Sequence, residues 1–143
     1  MKSVLVIDDN KINLVSAKNA LNELYKVIAV PSGLQALKFF ETKTCDLILL
    51  DINMPELDGF EVLRRIRQNP EHQSIPVIFL TADDDEQTAQ KCRSEGGADC
   101  ITKPFAVEAL RQSIKKILGE ELYWTIKGIP PKILLIYTCI VVA

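Results

Sequence analysis

The chain has 143 residues, 48% of them hydrophobic and 25% charged, the proportions of one globular domain with room for a sizeable core. A formal charge of −2 and a pI near 5.5 leave no excess of lysine and arginine to draw it to nucleic acid or anionic lipid. The four cysteines, Cys45, Cys92, Cys100 and Cys139, contain no CxxC pair, and the one histidine, His72, sits in a polar "NPEHQS" segment, so thiolate–metal and disulfide frameworks are both weak readings. The opening "MKSVLVIDD" is too short in apolar residues for a signal peptide or a membrane span, and a reducing, cytoplasmic setting is expected.

Short apolar runs alternate with longer amphipathic stretches, the pattern of crossover units around a parallel sheet. In chain order, strands are expected at 3–7 (SVLVI), 26–30 (KVIAV), 46–50 (DLILL), 76–80 (PVIFL) and, more weakly, 99–102 (DCIT). Helices are expected between and after them at 13–24, 33–42, 59–68, 85–96 and 107–119. In the last helix Val107, Leu110, Ile114 and Ile117 fall on one stripe that suits packing on a sheet. The fourth has only Ala89 and Cys92 as candidates for burial, so it is expected to pack thinly and open easily.

In an open parallel sheet ligands bind beyond the carboxyl ends of the strands. The first strand ends at Asp8 and Asp9, and the third at Asp51. If these strands are neighbours, three carboxylates share a pocket, where two charges about 4 Å apart repel by roughly 4 kcal/mol at a dielectric of about 20. A cation must offset this, and oxygen donors without His or Cys suit Mg²⁺. Taken singly, each acid reads equally as a helix cap or a solvated charge. The fourth strand closes with Thr81 and the fifth with Lys103 and Pro104, adding a hydroxyl and an ammonium to the acids.

The segments "VLVIDDN", "LILLDINMPELDGFEVL", "PVIFLTA" and "ITKPF" resemble those of response-regulator receiver domains of two-component signalling. The likeness covers residues 2–118, including the thirty residues from Asp51 to Thr81 and the twenty-two from Thr81 to Lys103. It implies an α/β, flavodoxin-like fold with a doubly wound, five-stranded parallel sheet. By the same resemblance Asp51 is the phosphoacceptor, charged by a histidine kinase or phosphotransfer protein. Asp8, Asp9, Asp51 and the backbone carbonyl of Asn53 are the Mg²⁺ ligands, and Lys103 supplies positive charge. Pro55 and Gly59 shape the loop around Asn53, the Lys103–Pro104 peptide is typically cis, and Asn53 and Asp83 tune the lifetime of the acyl phosphate. Thr81 follows the phosphoryl group and biases the face of helix 4, strand 5 and helix 5 toward an effector. Such a module is no enzyme beyond its own phosphoryl transfer and dephosphorylation.

The chain departs from the family at Cys100, three residues before the lysine, where Tyr or Phe is common; a thiol there is too small to gate the pocket as a ring does. It reads as a space-filling residue ahead of a redox group. Residues 119–143 form a separate apolar tail, "GEELYWTIKGIPPKILLIYTCIVVA", expected to be the truncated start of a following domain or vector-derived sequence, and a means of dimerisation if ordered. Two other functions compete. A haloacid-dehalogenase-type hydrolase would need a second acid two residues beyond the nucleophile, where this chain has Asn53. A phosphorylation-independent interaction module would need none of the acids, Thr81 or Lys103. Flavin and dinucleotide binding are disfavoured, since no glycine-rich turn follows the first strand.

Overall fold

A computed structural model describes residues 1–119. The elements run β1 (Ser3–Ile7), α1 (Lys11–Leu21), β2 (Lys26–Val30), α2 (Gly33–Thr42), β3 (Leu47–Asp51), α3 (Gly59–Arg67), a 3₁₀ turn (Pro70–His72), β4 (Val77–Thr81), α4 (Glu86–Ser94), β5 (Asp99–Thr102) and α5 (Val107–Leu118). All strand pairings are parallel, in the order β2-β1-β3-β4-β5.

Every residue of β3 and β4 is buried, which explains why their sequences are continuous apolar runs rather than alternating ones. Side-chain alternation along the strands builds two cores. Leu5, Ile7, Ile48, Leu50, Val77 and Phe79 face a layer with α2, α3 and Cys92 of α4, whereas Val4, Val6, Leu47, Leu49, Ile78 and Leu80 face α1 and α5. Helices thus cover both faces, the doubly wound arrangement. Among the described residues no helix is long and apolar enough to cross a membrane.

Several boundaries differ from the sequence expectation for identifiable reasons. β3 and β4 each begin and end one residue later than read. Asp46 uses its side chain to accept from the Ser3 N–H at 2.8 Å, and Pro76 has no N–H to give to a ladder. At the other end the Ile52 N–H donates to the Leu80 carbonyl at 3.0 Å, so Asp51 and Thr81 are themselves strand residues. α1 starts two residues early because Asn10 caps it, accepting from the N–H groups of Ile12 and Asn13 at 2.8 and 3.3 Å. In α5, Leu110 and Ile114 are buried and Ile117 partly so, but Val107, the first residue of the helix, is 46% exposed. α4 packs as thinly as expected, with Cys92 as its one buried residue and Ala89 only half-buried, but it runs Glu86–Ser94 rather than 85–96, with Asp85 and Glu95 as its caps. The proposed tail, its origin and its dimerisation lie outside the described residues from position 120 onward.

Candidate functional site

Because β1 and β3 are neighbours at the centre of the sheet, the acids that follow β1 meet the acid that ends β3. Asp8 and Asp51 are buried, at 0% and 1% exposure, and Asp9 is exposed. One carboxylate oxygen from each lies within 4.8 Å of the others. Asp8 Oδ1 accepts from the Asn10 N–H at 2.9 Å, while Asp8 Oδ2 is buried and accepts no hydrogen bond. A buried anionic oxygen left in this condition, within a set of hard oxygen donors, fits a divalent cation such as Mg²⁺.

Lys103 reaches the acids from the far edge of the sheet. Its backbone N–H donates to the Thr81 carbonyl at 2.6 Å, its peptide to Pro104 is cis, and its Nζ stands 2.9 Å from Asp51 Oδ1 and 3.5 Å from Asp8 Oδ2. Burial pushes the Asp51 carboxyl up to about 6, with the charge of Asp8 adding to the effect, against the hydrogen bond from Lys103 that opposes it. Burial alone would lower Lys103, yet the hydrogen bond to Asp51 and the charges of Asp51 and Asp8 hold it above the ordinary lysine value. The ammonium therefore stays charged while the central carboxylate is kept basic.

Thr81 is fully buried at the end of β4, and its Oγ1 accepts from the Asp83 N–H at 3.0 Å. The hydroxyl proton remains available to donate elsewhere. Asn53 is exposed, with its N–H 3.4 Å from Asp51 Oδ1, and Asp83 is exposed as well. Between Asp51 and α3 the chain doubles back. Leu57 N–H donates to the Pro55 carbonyl at 2.8 Å, Glu56 takes φ +68, and Gly59 N–H returns to the Ile52 carbonyl at 2.8 Å. A Cβ on Gly59 would lie 2.4 Å from the Asp51 carbonyl oxygen, so only glycine permits this approach. Cys100 does not join the acids; it lies on the α4 side of β5, with its sulfur 3.1 Å from that of Cys92. Sequence reasoning passed over Asn10, which braces Asp8 and caps α1; a side-chain amide directly before a helix is the signal that finds it.

The family model for the response regulator receiver domain matches residues 4–115. The chain belongs to the response regulator receiver domain family. These are the phosphoacceptor modules of two-component signalling, and the receiver domain here is similar to relatives of very different length. It is 34% identical over 120 residues to the polar-differentiation response regulator DivK of Brucella ovis, covering 83% of this chain and 98% of DivK. It is 35% identical over 112 residues to a probable cyclic di-GMP phosphodiesterase of Vibrio cholerae, covering 78% of this chain but 25% of that protein. Against several curated relatives the chain thus spans a quarter of their length or less. Among solved structures, the receiver domain of the sensor histidine kinase PA1611 from Pseudomonas aeruginosa, which has magnesium coordinated in its active-site cleft, superposes with a TM-score of 0.75 at 31% identity, covering 82% of this chain and 98% of that one.

Proposed function

We propose that Asp51 is the phosphoacceptor of this receiver domain, which spans residues 1–118, acts in the cytoplasm, and takes its phosphoryl group from a histidine kinase or phosphotransfer protein. The observation that supports this reading best is the Lys103 ammonium 2.9 Å from an oxygen of Asp51, whose carboxylate also belongs to a three-carboxylate cluster. In the transfer, an Asp51 carboxylate oxygen attacks phosphorus, the bond from phosphorus to the donor's imidazole nitrogen breaks, and the electron pair leaves with the imidazole. Burial keeps the attacking carboxylate desolvated and basic. The ammonium of Lys103 lies where negative charge gathers on the equatorial oxygens. Asp8, Asp9, Asp51 and the Asn53 carbonyl would hold Mg²⁺, which would supply charge to screen the phosphoryl oxygens. Thr81 then donates its hydroxyl proton to a phosphoryl oxygen, drawing the 82–85 loop inward and shifting the thinly packed α4 with the β5 and α5 face toward an effector.

Intact-mass measurement after incubation with acetyl phosphate tests the acceptor. One phosphoryl group per chain is expected with Mg²⁺ and none with a chelator, and peptide mapping is expected to assign it to Asp51. Repeated turnover of a small phosphate ester without a phosphorylated chain would count against the reading and in favour of a hydrolase.

Asn53 and Asp83 stand beside the acceptor and the threonine, where polar groups orient water toward the acyl phosphate. An Asn53→Ala, Asp83→Ala double variant is expected to hold its phosphoryl group longer, by up to about 10²-fold, the lower end of general-base contributions. Decay followed by intact mass at the parent rate would show that both merely decorate loops.

A further inference from the structure

Cys92 and Cys100 stand on different elements, α4 and β5, yet their sulfurs approach to 3.1 Å. Cys92 is the one buried residue of α4, at 1% exposure, and the strand register sets Cys100 opposite Phe79, on the same face of the sheet. The backbone fixes this meeting. Gly96 takes φ +92, and the Gly97 N–H donates to the Cys92 carbonyl at 2.8 Å. A Cβ on Gly97 would lie 2.7 Å from the Phe79 ring and 2.9 Å from the Cys92 carbonyl oxygen, so the turn clamps the last turn of α4 against the sheet.

We propose that Cys92 and Cys100 form a reversible, oxidant-driven disulfide that ties α4 to β5. A disulfide needs the sulfurs at about 2.0 Å, a closure of about 1 Å from their present separation. With hydrogen peroxide as oxidant, the half-buried Cys100 sulfur attacks one peroxide oxygen, the O–O bond breaks, and the products are a sulfenic acid and water. The Cys92 sulfur then attacks the sulfenic sulfur and expels hydroxide, which leaves as water with the Cys92 proton. Two thiols and one peroxide give one disulfide and two waters; the sulfurs are oxidised and the peroxide oxygens reduced. Burial first, and then the hydrogen bond with Cys100, push the Cys92 thiol up to about 12, so the peroxide reacts at the more accessible Cys100, and Cys92 takes part because its sulfur is already in contact. The ring closed is short, so the bond gains less from chain entropy than one closing a long loop, and thiol exchange with a cellular dithiol returns the two thiols. Its effect falls on the helix with the fewest buried residues, and it does not depend on the role of Asp51.

The full chain, treated with stoichiometric hydrogen peroxide under native conditions and quenched with N-ethylmaleimide, tests this by intact mass, peptide mapping and amide hydrogen exchange. The expected result is a loss of two hydrogen atoms, a cross-linked peptide joining residues 92 and 100, and reversal by dithiothreitol. Exchange across residues 86–94 is expected to slow by about tenfold in the oxidised form. Cys92→Ala and Cys100→Ala, made separately so that one survives a folding failure of the other, are each expected to abolish the cross-link. Alkylation of both cysteines after peroxide, a bridge to Cys45 or Cys139 instead, or oxidation that stops on Cys100 alone would overturn the proposal. A cross-link that leaves exchange in α4 unchanged would overturn the restraint it is said to impose.

Discussion

Asp51→Asn is expected to abolish phosphoryl uptake from acetyl phosphate and at the same time to stabilise the magnesium-free protein at neutral pH. Loss of uptake follows from chemistry, since an amide oxygen lacks the charge and basicity to attack phosphorus. The gain in stability follows from burial. Asp51 is 1% exposed, and its carboxyl is raised from the ordinary value of 3.8 to about 6, first by desolvation and then by Asp8, despite the Lys103 hydrogen bond. A carboxyl raised on folding contributes most stability when protonated, below its unfolded value. That contribution is lost as pH rises through about 6. Asparagine does not titrate, so it escapes the loss. At pH 7.5 the variant is expected to be more stable by on the order of 2 kcal/mol, the gap closing as pH falls from about 6 toward 4. Urea unfolding of both proteins across this range, in chelator, checks it, and a gap independent of pH would place the strain elsewhere. Saturating Mg²⁺ is expected to narrow the difference, because a ligand that binds only the native parent stabilises it by mass action.

The physical reasons behind that prediction were only partly open to inspection in the chain itself. Apolar runs located all five strands because a sheet covered on both faces tolerates few polar side chains, and the terminal acids, hydroxyl and ammonium stood out against them. Whether Asp8 and Asp51 share a pocket depended on β1 lying beside β3, and that is a property of strand order rather than of either segment. The one-residue displacement of β3 and β4 was hidden because it is decided by the Asp46 side chain and the missing N–H of Pro76, two local hydrogen-bond choices. It matters for function, since it makes Asp51 and Thr81 ladder residues whose backbones cannot drift. The positive φ of Glu56 had no glycine or asparagine to announce it. The meeting of Cys92 with Cys100 was equally concealed: helical periodicity marked Cys92 for burial, and the family likeness marked Cys100 as unusual. Only the parallel stacking of β5 beside β4, with α4 folded back over the sheet, turns the two observations into one contact.

Lys103→Ala is expected to slow phosphorylation from acetyl phosphate by about 10²–10³-fold, the usual consequence of deleting a preorganised positive group at a site of developing charge. The lysine bridges two buried acids, at 2.9 Å to Asp51 and 3.5 Å to Asp8, and itself remains partly accessible, with 17% of its side chain exposed. Its removal leaves Asp8 and Asp51 facing each other uncompensated, so the magnesium-free variant is expected to lose about 3 kcal/mol of stability at pH 7.5. The same loss of a competing cation should favour Mg²⁺, which stabilises the variant more than the parent in a thermal melt. Lys103→Arg separates the two roles of the residue. A guanidinium restores charge, and with it much of the stability, but its planar fork cannot reproduce a point charge seated on one Asp51 oxygen. Its phosphorylation rate is therefore expected to stay well below the parent's, whereas full recovery of rate would mean that charge alone, without placement, is what Lys103 contributes.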